Sequence, residues 1–423
     1  MKSLILVPHQ DDEINLVGNI LSRLVAYSDV YVVYSSLSIE FSKAAIREKE
    51  ARQALAVYGV KQDNIYFLGA PDTPNENGDH FFLHIQEREK FVNALCKTIV
   101  CIMPDIIFCS DFDFHSDHRM LSLALEEAMS RLLESDSGIR PALLKGFCYE
   151  TGYYAIPDYT VFNLKFCRIT GSELSSNPSY RWEDRISIPR LAEQNSMIWN
   201  TKEFQALCCH RSQYAVLEAS SIINADNVFW ERRVDNLALG ATVMVSSGSG
   251  IPLNDFKILD TDDLFTINPE SIDYSKSLWR PDDSDSTPVV EMQLNKVATI
   301  RMLVLHSCVS DLENKEIKFD IFLDGKFYTC VNVNLQAHGR GTEIYLGEVI
   351  FRTIRLVFHG YIQLSEIELL ENQHSGITEM LNKVFHIEKE KKPVRYCFIL
   401  ELVNSVGWFI IQIYQKILRR LHF

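Results

Sequence analysis

The sequence predicts an α/β unit with a mostly parallel sheet and helices on both faces, then a β-sandwich, then a C-terminal amphipathic helical tail. Three observations carry this. Strand-like and helix-like stretches alternate through residues 1–150. At Val234 the long helical patterns stop, and short β-rich runs separated by turn signals replace them. Residues 381–423 carry eight Lys or Arg against three Glu, a net +5 in a chain of net charge −14.

In the first part, strands are expected near Leu4–Val7, Val30–Ser35, Ile65–Leu68, Ile106–Ser110 and Gly146–Glu150. Helices are expected near Ile14–Tyr27, Ala44–Tyr58, Ile85–Ile102 and Arg119–Ser135. The strands are short and continuously apolar, which implies burial on both sheet faces. Residues 151–233 are less regular, with a helix near Pro189–Cys208, and read as a cap that shapes a pocket. Beyond them, strands are expected near Thr242–Ser246, Val289–Leu294, Thr299–His306, Ile317–Leu323, Phe327–Val333, Thr342–Tyr345, Thr353–Phe358 and Ile362–Leu370. The domains expected are therefore 1–233, 234–372 and a tail, 373–423.

At 423 residues the chain has room for two or three domains, and 47% hydrophobic content supports real cores. The acidic balance argues against nucleic acid as a main partner. Met1-Lys-Ser leads straight into the first apolar run, so no signal peptide is expected and the location expected is cytoplasmic. The ten cysteines are scattered without a CxxC pair. A cysteine zinc site is not expected, and free thiols in a reducing compartment are. From Tyr396 onward an apolar run carries a thin polar stripe at helical spacing, with Trp408 and basic flanks. That pattern fits a helix lying in a membrane interface at the inner face, against the alternative of a helix docked on protein.

Two polar clusters sit where strands end. The apolar run Leu4–Val7 reaches Pro8 and is followed by His9, Asp11, Asp12 and Glu13; the run Ile106–Ser110 is followed by Asp111, Asp113, His115, Asp117 and His118. Three carboxylates and an imidazole within five residues repel one another unless a cation sits among them. A divalent metal answers that, and His and Asp are standard zinc ligands. The bland reading of the first cluster is a solvated helix start with acids favoured by the helix dipole. Two such clusters in one α/β sheet, at the edge where ligands bind, favour a metal centre.

Pro8-His9-Gln-Asp-Asp-Glu13 together with His115-Ser-Asp-His118 resembles the HPDDE and HxDH signatures of the PIG-L/LmbE family of zinc-dependent de-N-acetylases. Ala45-Ile-Arg47-Glu-Lys-Glu50, Leu68-Gly-Ala-Pro-Asp72, the segment Lys202 to Gln213 and Phe229–Arg232 resemble further family motifs in the same order. The resemblance covers about the first 233 residues and implies a Rossmann-like sheet. Two departures stand out. Gln10 replaces the motif proline, and Ser35-Ser36-Leu37 replaces the usual T-x-G. Beyond Val234, Asn236-Leu-Ala-Leu-Gly240, Phe319-Asp-Ile-Phe-Leu-Asp-Gly325, Ile354-Arg-Leu356 and Ile367-Glu-Leu369 resemble discoidin-like domains of the coagulation factor C-type, a galactose-binding-like jelly-roll.

The first resemblance implies His9, Asp12 and His118 as metal ligands, for Zn2+ or another divalent ion such as Fe2+. It implies Asp11 as general base, His115 as the group that stabilises the oxyanion, and Asp117 as the residue that orients His115 and keeps it protonated. Arg47 and Asp72 would contact substrate, with a salt bridge to Glu50 and a turn role as their alternatives. Glu13 would support the metal site indirectly, and His210 reads as structural. The function implied is removal of the N-acetyl group from a GlcNAc-like amino sugar, free, nucleotide-linked or lipid-linked, in cell-surface polysaccharide or glycolipid synthesis. The rival is an inactive glycan-binding or scaffolding protein on the same fold; another metal-dependent amide or ester hydrolase is a third reading. The partners expected are the N-acetylated sugar, a glycan at the sandwich, a membrane surface for residues 381–423, and a second copy of the chain in a homo-oligomer.

Overall fold

The computed structural model describes residues 1–37, 41–71, 85–111, 115–135, 138–148, 180, 184–188, 198–218, 227–258, 278–307, 315–336 and 339–385, with scattered positions between 406 and 420. The first unit runs β1 (Lys2–Val7), α1 (Asp12–Tyr27), β2 (Asp29–Leu37), α2 (Phe41–Tyr58), β3 (Ile65–Pro71), α3 (Ile85–Ile102), β4 (Ile106–Ser110), α4 (Ser116–Glu134) and β5 (Ala142–Gly146). It continues with β6 (Ile186–Ile188), α5 (Lys202–Leu207) and β7 (Asn227–Arg232). The sheet order is β3-β2-β1-β4-β5-β7-β6. The first five strands are parallel, and β7 pairs antiparallel with both β5 and β6.

Alternation along β1 sorts the two faces. Ile5 and Val7 enter one core with α1 and α2, while Leu4 and Leu6 enter the other with α3 and α4. The helices thus cover both faces, which is why the strands read as unbroken apolar runs. The chain order also reverses at β1, with β2 and β3 on one side and β4 and β5 on the other. The C-terminal ends of β1 and β4 therefore flank a topological switch point, where an open parallel sheet leaves a crevice.

The expected strand Gly146–Glu150 lies earlier, at Ala142–Gly146. Lys145 hides it from a hydropathy reading, being a buried lysine within a central strand. Its ammonium meets the Glu126 carboxylate and the Ser122 hydroxyl (2.8 Å), with Asp111 at 3.8 Å. Of the expected helix Pro189–Cys208, the described part is the short α5 with a single turn before it; the rest, and most of the proposed cap, lie outside the described residues.

The second unit comprises β8 (Thr242–Val245), β9 (Val289–His306), β10 (Glu316–Leu323), β11 (Lys326–Asn334), β12 (Gly341–Phe358) and β13 (Glu366–Leu370), in the order β11-β10-β12-β9-β13 with β8 on β9. All its pairings are antiparallel. Two pairs of expected strands are single strands. β9 and β12 run 18 residues each and pair along nearly their whole length, with register shifts at Tyr345/Val349 and Phe351/Thr353. Gly347, at φ +74°, lies at the shift. The sheet folds over itself there, so Val290 and Leu303 from opposite halves of β9 share one core.

The last described helix, α6 (Ile377–Phe385), returns to the first unit. Ile377, Leu381, Val384 and Phe385 join the core of α1 and α2, and Arg23 Nε donates to the Val384 carbonyl at 3.0 Å. Leu381, Val384 and Phe385, expected to belong to a membrane-facing tail, are instead core. The two units also meet through Arg232 at the end of β7. Its guanidinium donates to Glu368 on β13 and to the Phe256 carbonyl (3.1 Å), and lies 4.1 Å from the centre of the Phe256 ring. All seven described cysteines are free; Cys109 and Cys148 are buried, whereas Cys101 and Cys330 are exposed.

Arg232→Ala removes the cation and leaves Glu366 and Glu368 buried without it. The loss of stability expected is about 3–5 kcal/mol, read as a lower urea midpoint for unfolding.

Candidate metal and catalytic site

β1 ends at Val7, and the chain turns through Pro8 into α1. The first helical turn supplies Asp12 and Glu13, both buried, with Asp11 as the capping residue before them. β4 ends beside β1, and α4 opens with His115 at its cap and Asp117 and His118 in its first turn. The switch point thus brings residues more than a hundred positions apart into ring contact. The His9 and His115 ring centres are 4.5 Å apart, those of His115 and His118 5.2 Å, and those of His9 and His118 5.5 Å.

Asp12 is the centre of the cluster. Its Oδ2 lies 3.1 Å from His9 Nδ1 and 3.1 Å from His118 Nε2, and accepts the His9 main-chain N–H at 2.9 Å. Its Oδ1 is buried with no hydrogen-bond partner among the described residues. His9, His115 and His118 present ring nitrogens within 4.8 Å of one another, and Asp12, His118 and Cys148 form a second such group. A convergent set of imidazoles with an unpaired buried carboxylate oxygen fits a divalent cation. His9, Asp12, Asp117 and His118 are buried, whereas Asp11 and His115 are partly open to solvent. The residues suited to holding an ion lie deep, and the two suited to proton traffic face outward.

Electrostatics follow from this packing. Burial opposes charge on His9, but the Asp117 carboxylate at 2.9 Å from Nε2 and Asp12 on the other nitrogen outweigh it and raise the imidazole to about 9. Burial alone would raise Asp12, yet His118 and His9 hold it well below the usual carboxylate range. Burial and then the Asp12 charge push Asp11 up to about 7, against the pull of His210 and Arg47. Burial and the neighbouring imidazoles His9 and His118 push His115 down to about 4.

Asp117 sits closer to His9 than to the His115 it was expected to orient. The Asp117 carboxylate is 2.9 Å from His9 but 3.9 Å from His115, and Asp117 meets His115 instead by donating its main-chain N–H to Nδ1 at 3.2 Å. With Nδ1 accepting from that main-chain N–H, a proton carried by His115 belongs on Nε2. The two departures from the family signatures touch each other: Gln10 Nε2 donates to the Ser36 carbonyl at 2.9 Å, and Ser36 donates through its N–H and hydroxyl to the Pro8 carbonyl. Arg47 is buried on α2 and its charge bears on Asp11. Glu50, one turn on, accepts from the Ser212 N–H and hydroxyl. Asp72 lies outside the described residues.

Two features carried no clear sequence signal. Cys148 follows β5 and reaches the Asp12–His118 side of the cluster. Glu13 and His210 meet at 2.8 Å across 197 positions, and Glu13 also accepts the Asp11 N–H at 2.9 Å. The sequence marks Glu13 as indirect support for a metal site and His210 as structural, but nothing in it pairs the two.

Residues 4–129 are a PIG-L domain, matching the family model described as GlcNAc-PI de-N-acetylase. Similar solved structures include the N,N'-diacetylchitobiose deacetylase from Pyrococcus horikoshii, at 24% identity and TM-score 0.27, covering 34% of this chain and 59% of that one. The chain thus spans 59% of that deacetylase. A Streptococcus pneumoniae fucose binding module is similar at 14% identity and TM-score 0.25, covering 33% and 98%. So is the family 32 module of Clostridium perfringens NanJ in complex with galactose, at 11% and 0.24, covering 31% and 95%. No curated protein matches the chain.

A metal must find His9 neutral, so loading chelator-treated protein with Zn2+ at pH 7.5 is expected to release about one proton per chain or more. Calorimetry in two buffers of different ionisation enthalpy reads that number; zero release removes the ligand role of His9. The sign for stability follows from the same group. His9 is raised from 6.5 to about 9, so its contribution to the metal-free protein is full below pH 6.5 and is lost as pH rises through about 9.

Proposed function

We propose that the chain is a metal-dependent deacetylase that removes the N-acetyl group from a GlcNAc-like amino sugar. The observation that carries this reading is the convergence of the HQDD turn after β1 with the HSDH turn opening α4, inside a stretch that matches a de-N-acetylase family model. His9, Asp12 and His118 would hold the ion, Zn2+ or another divalent metal. A divalent cation there would polarise the amide carbonyl and make water acidic enough to be deprotonated at neutral pH.

The chain's own groups account for the protons. Asp11, raised to about 7, takes a proton from the water as its oxygen bonds to the acetyl carbon. The same carboxyl then delivers that proton to the sugar nitrogen as the C–N bond breaks, giving acetate and the free amine. His115 presents its Nε2–H to the carbonyl oxygen as negative charge develops there. Arg47 binds the sugar or an anionic substituent, and Asp72 accepts from its hydroxyls.

The sandwich serves as a glycan-binding module in this reading, supported by the discoidin-like motifs. The carrier side is read from the tail. Among the described residues no helix is long and apolar enough to cross a membrane. The described helical positions Val406, Phe409, Ile410, Ile413, Tyr414 and Ile417 are exposed and fall on one helical stripe, near Lys416 and Arg420. An apolar stripe with basic neighbours suits the interface of an anionic bilayer. We propose a cytoplasmic enzyme acting at the inner membrane face on a lipid-linked or surface-glycan intermediate; the exposed apolar stripe with its basic neighbours supports the membrane part of that reading.

The deciding assay is acetate release from free, nucleotide-linked and lipid-linked N-acetyl sugars by the zinc-loaded chain. Asp11→Asn is expected to lower kcat about a thousandfold, and His115→Ala about a hundredfold or more. Stoichiometric metal with no release from any compound favours the glycan-binding rival. For the tail, flotation with vesicles containing anionic lipid is expected to carry the full chain and not a chain ending at 386. Equal flotation of both removes the membrane assignment.

A further inference from the structure

We propose that Glu13 and His210 are a positioning pair that locks the Gln10–Asp11 peptide, and with it the Asp11 carboxylate, in its working orientation. The role given to Asp11 rests on the deacetylase reading; the lock itself rests on geometry.

Asp11 sits at φ 147°, ψ −25°, a conformation that side-chain-bearing residues rarely adopt. Its flanks cannot relax to relieve this. On one side Gln10 is pinned to the Ser36 carbonyl, and on the other Asp12 is pinned by His9 and His118. The remaining route to an ordinary φ is rotation of the peptide between Gln10 and Asp11, which would carry the Asp11 N–H away from its present partner. That partner is Glu13 Oε2, at 2.9 Å.

Glu13 is fully buried and its other oxygen lies 2.8 Å from His210 Nε2. A carboxylate taken out of water needs such a partner, and removing it leaves an uncompensated charge. His210 in turn is fixed from outside the site. Its own N–H bonds to the Leu207 carbonyl at the end of α5, and two residues on, Ser212 is held by Glu50 of α2. The chain therefore passes the position of α2 and α5 to Asp11 through two side chains, neither of which is among the three ligands proposed for the metal.

The experiment compares Glu13→Ala, Glu13→Gln, His210→Ala and the double alanine variant of the full chain with wild type. In both alanine variants, amide exchange at Asp11 is expected to rise about tenfold or more while Leu4–Val7 stay protected. Glu13→Gln keeps an acceptor for the Asp11 N–H and is expected to keep its protection. On the substrate found in the acetate assay, each alanine variant should lose about a hundredfold in kcat with KM and metal content unchanged. Glu13→Gln should recover most of that loss, and the double variant should be no worse than the worse single one. Unchanged exchange at Asp11 in His210→Ala overturns the proposal, as does a kcat loss that tracks lost metal. Should Glu13→Ala fail to fold, Glu13→Gln and His210→Ala carry the comparison. Should wild type release no acetate, the deacetylase reading falls, and the exchange data alone decide the lock.

Discussion

Everything at the site depends on β1 and β4 lying side by side, parallel, at the point where strand order reverses. No crossover helix can fill the space above both ends, because α1 leaves toward β2 on one side and the connection to β5 leaves on the other. The two polar turns therefore face each other across a crevice. Each would be an ordinary helix start by itself. Together they concentrate three imidazoles and several carboxylates in one small volume, most of it buried.

Such crowding is tolerated because the charges answer one another. At buried separations near 3 Å, attraction between a carboxylate and an imidazolium is large enough to move either group by several pKa units. Asp12 is held ionised by two imidazoles, and His9 is held up by two carboxylates. Burial and the Asp12 charge push Asp11 up, while burial and the neighbouring imidazoles push His115 down. One cluster thus separates its members into groups that stay charged and groups poised to exchange protons. Position relative to Asp12 decides which is which.

Much of this was legible because its causes are local. Apolar runs of four to seven residues with polar turns after them placed the parallel strands, and the His and Asp spacing marked both halves of the site. The remainder required tertiary information. Lys145 hid β5 because its partners Glu126 and Asp111 are distant in sequence. β9 and β12 read as four strands because the bulge that bends them looks like a break in the pattern. The link from Glu13 to His210 spans 197 positions, and the Arg232 cluster joins two units whose sequence patterns are unrelated. The signature reports that Asp117 and His115 meet, but not that the Asp117 carboxylate lies nearer His9 while its main-chain N–H faces His115.

The return of α6 has a consequence for how the chain is made. The face of α1 that receives Leu381 and Phe385 belongs to the first unit, yet the helix that covers it is synthesised only after the entire sandwich. At a synthesis rate of roughly 5–20 residues per second, the stretch between β7 and the end of α6 takes on the order of 8–30 s to emerge. Through that interval α1 carries an uncovered apolar strip on the nascent chain. The sandwich, free to close on its own core, becomes the tether whose completion delivers the missing helix. The assembly is therefore nested, with the later unit finished first and the earlier one sealed last.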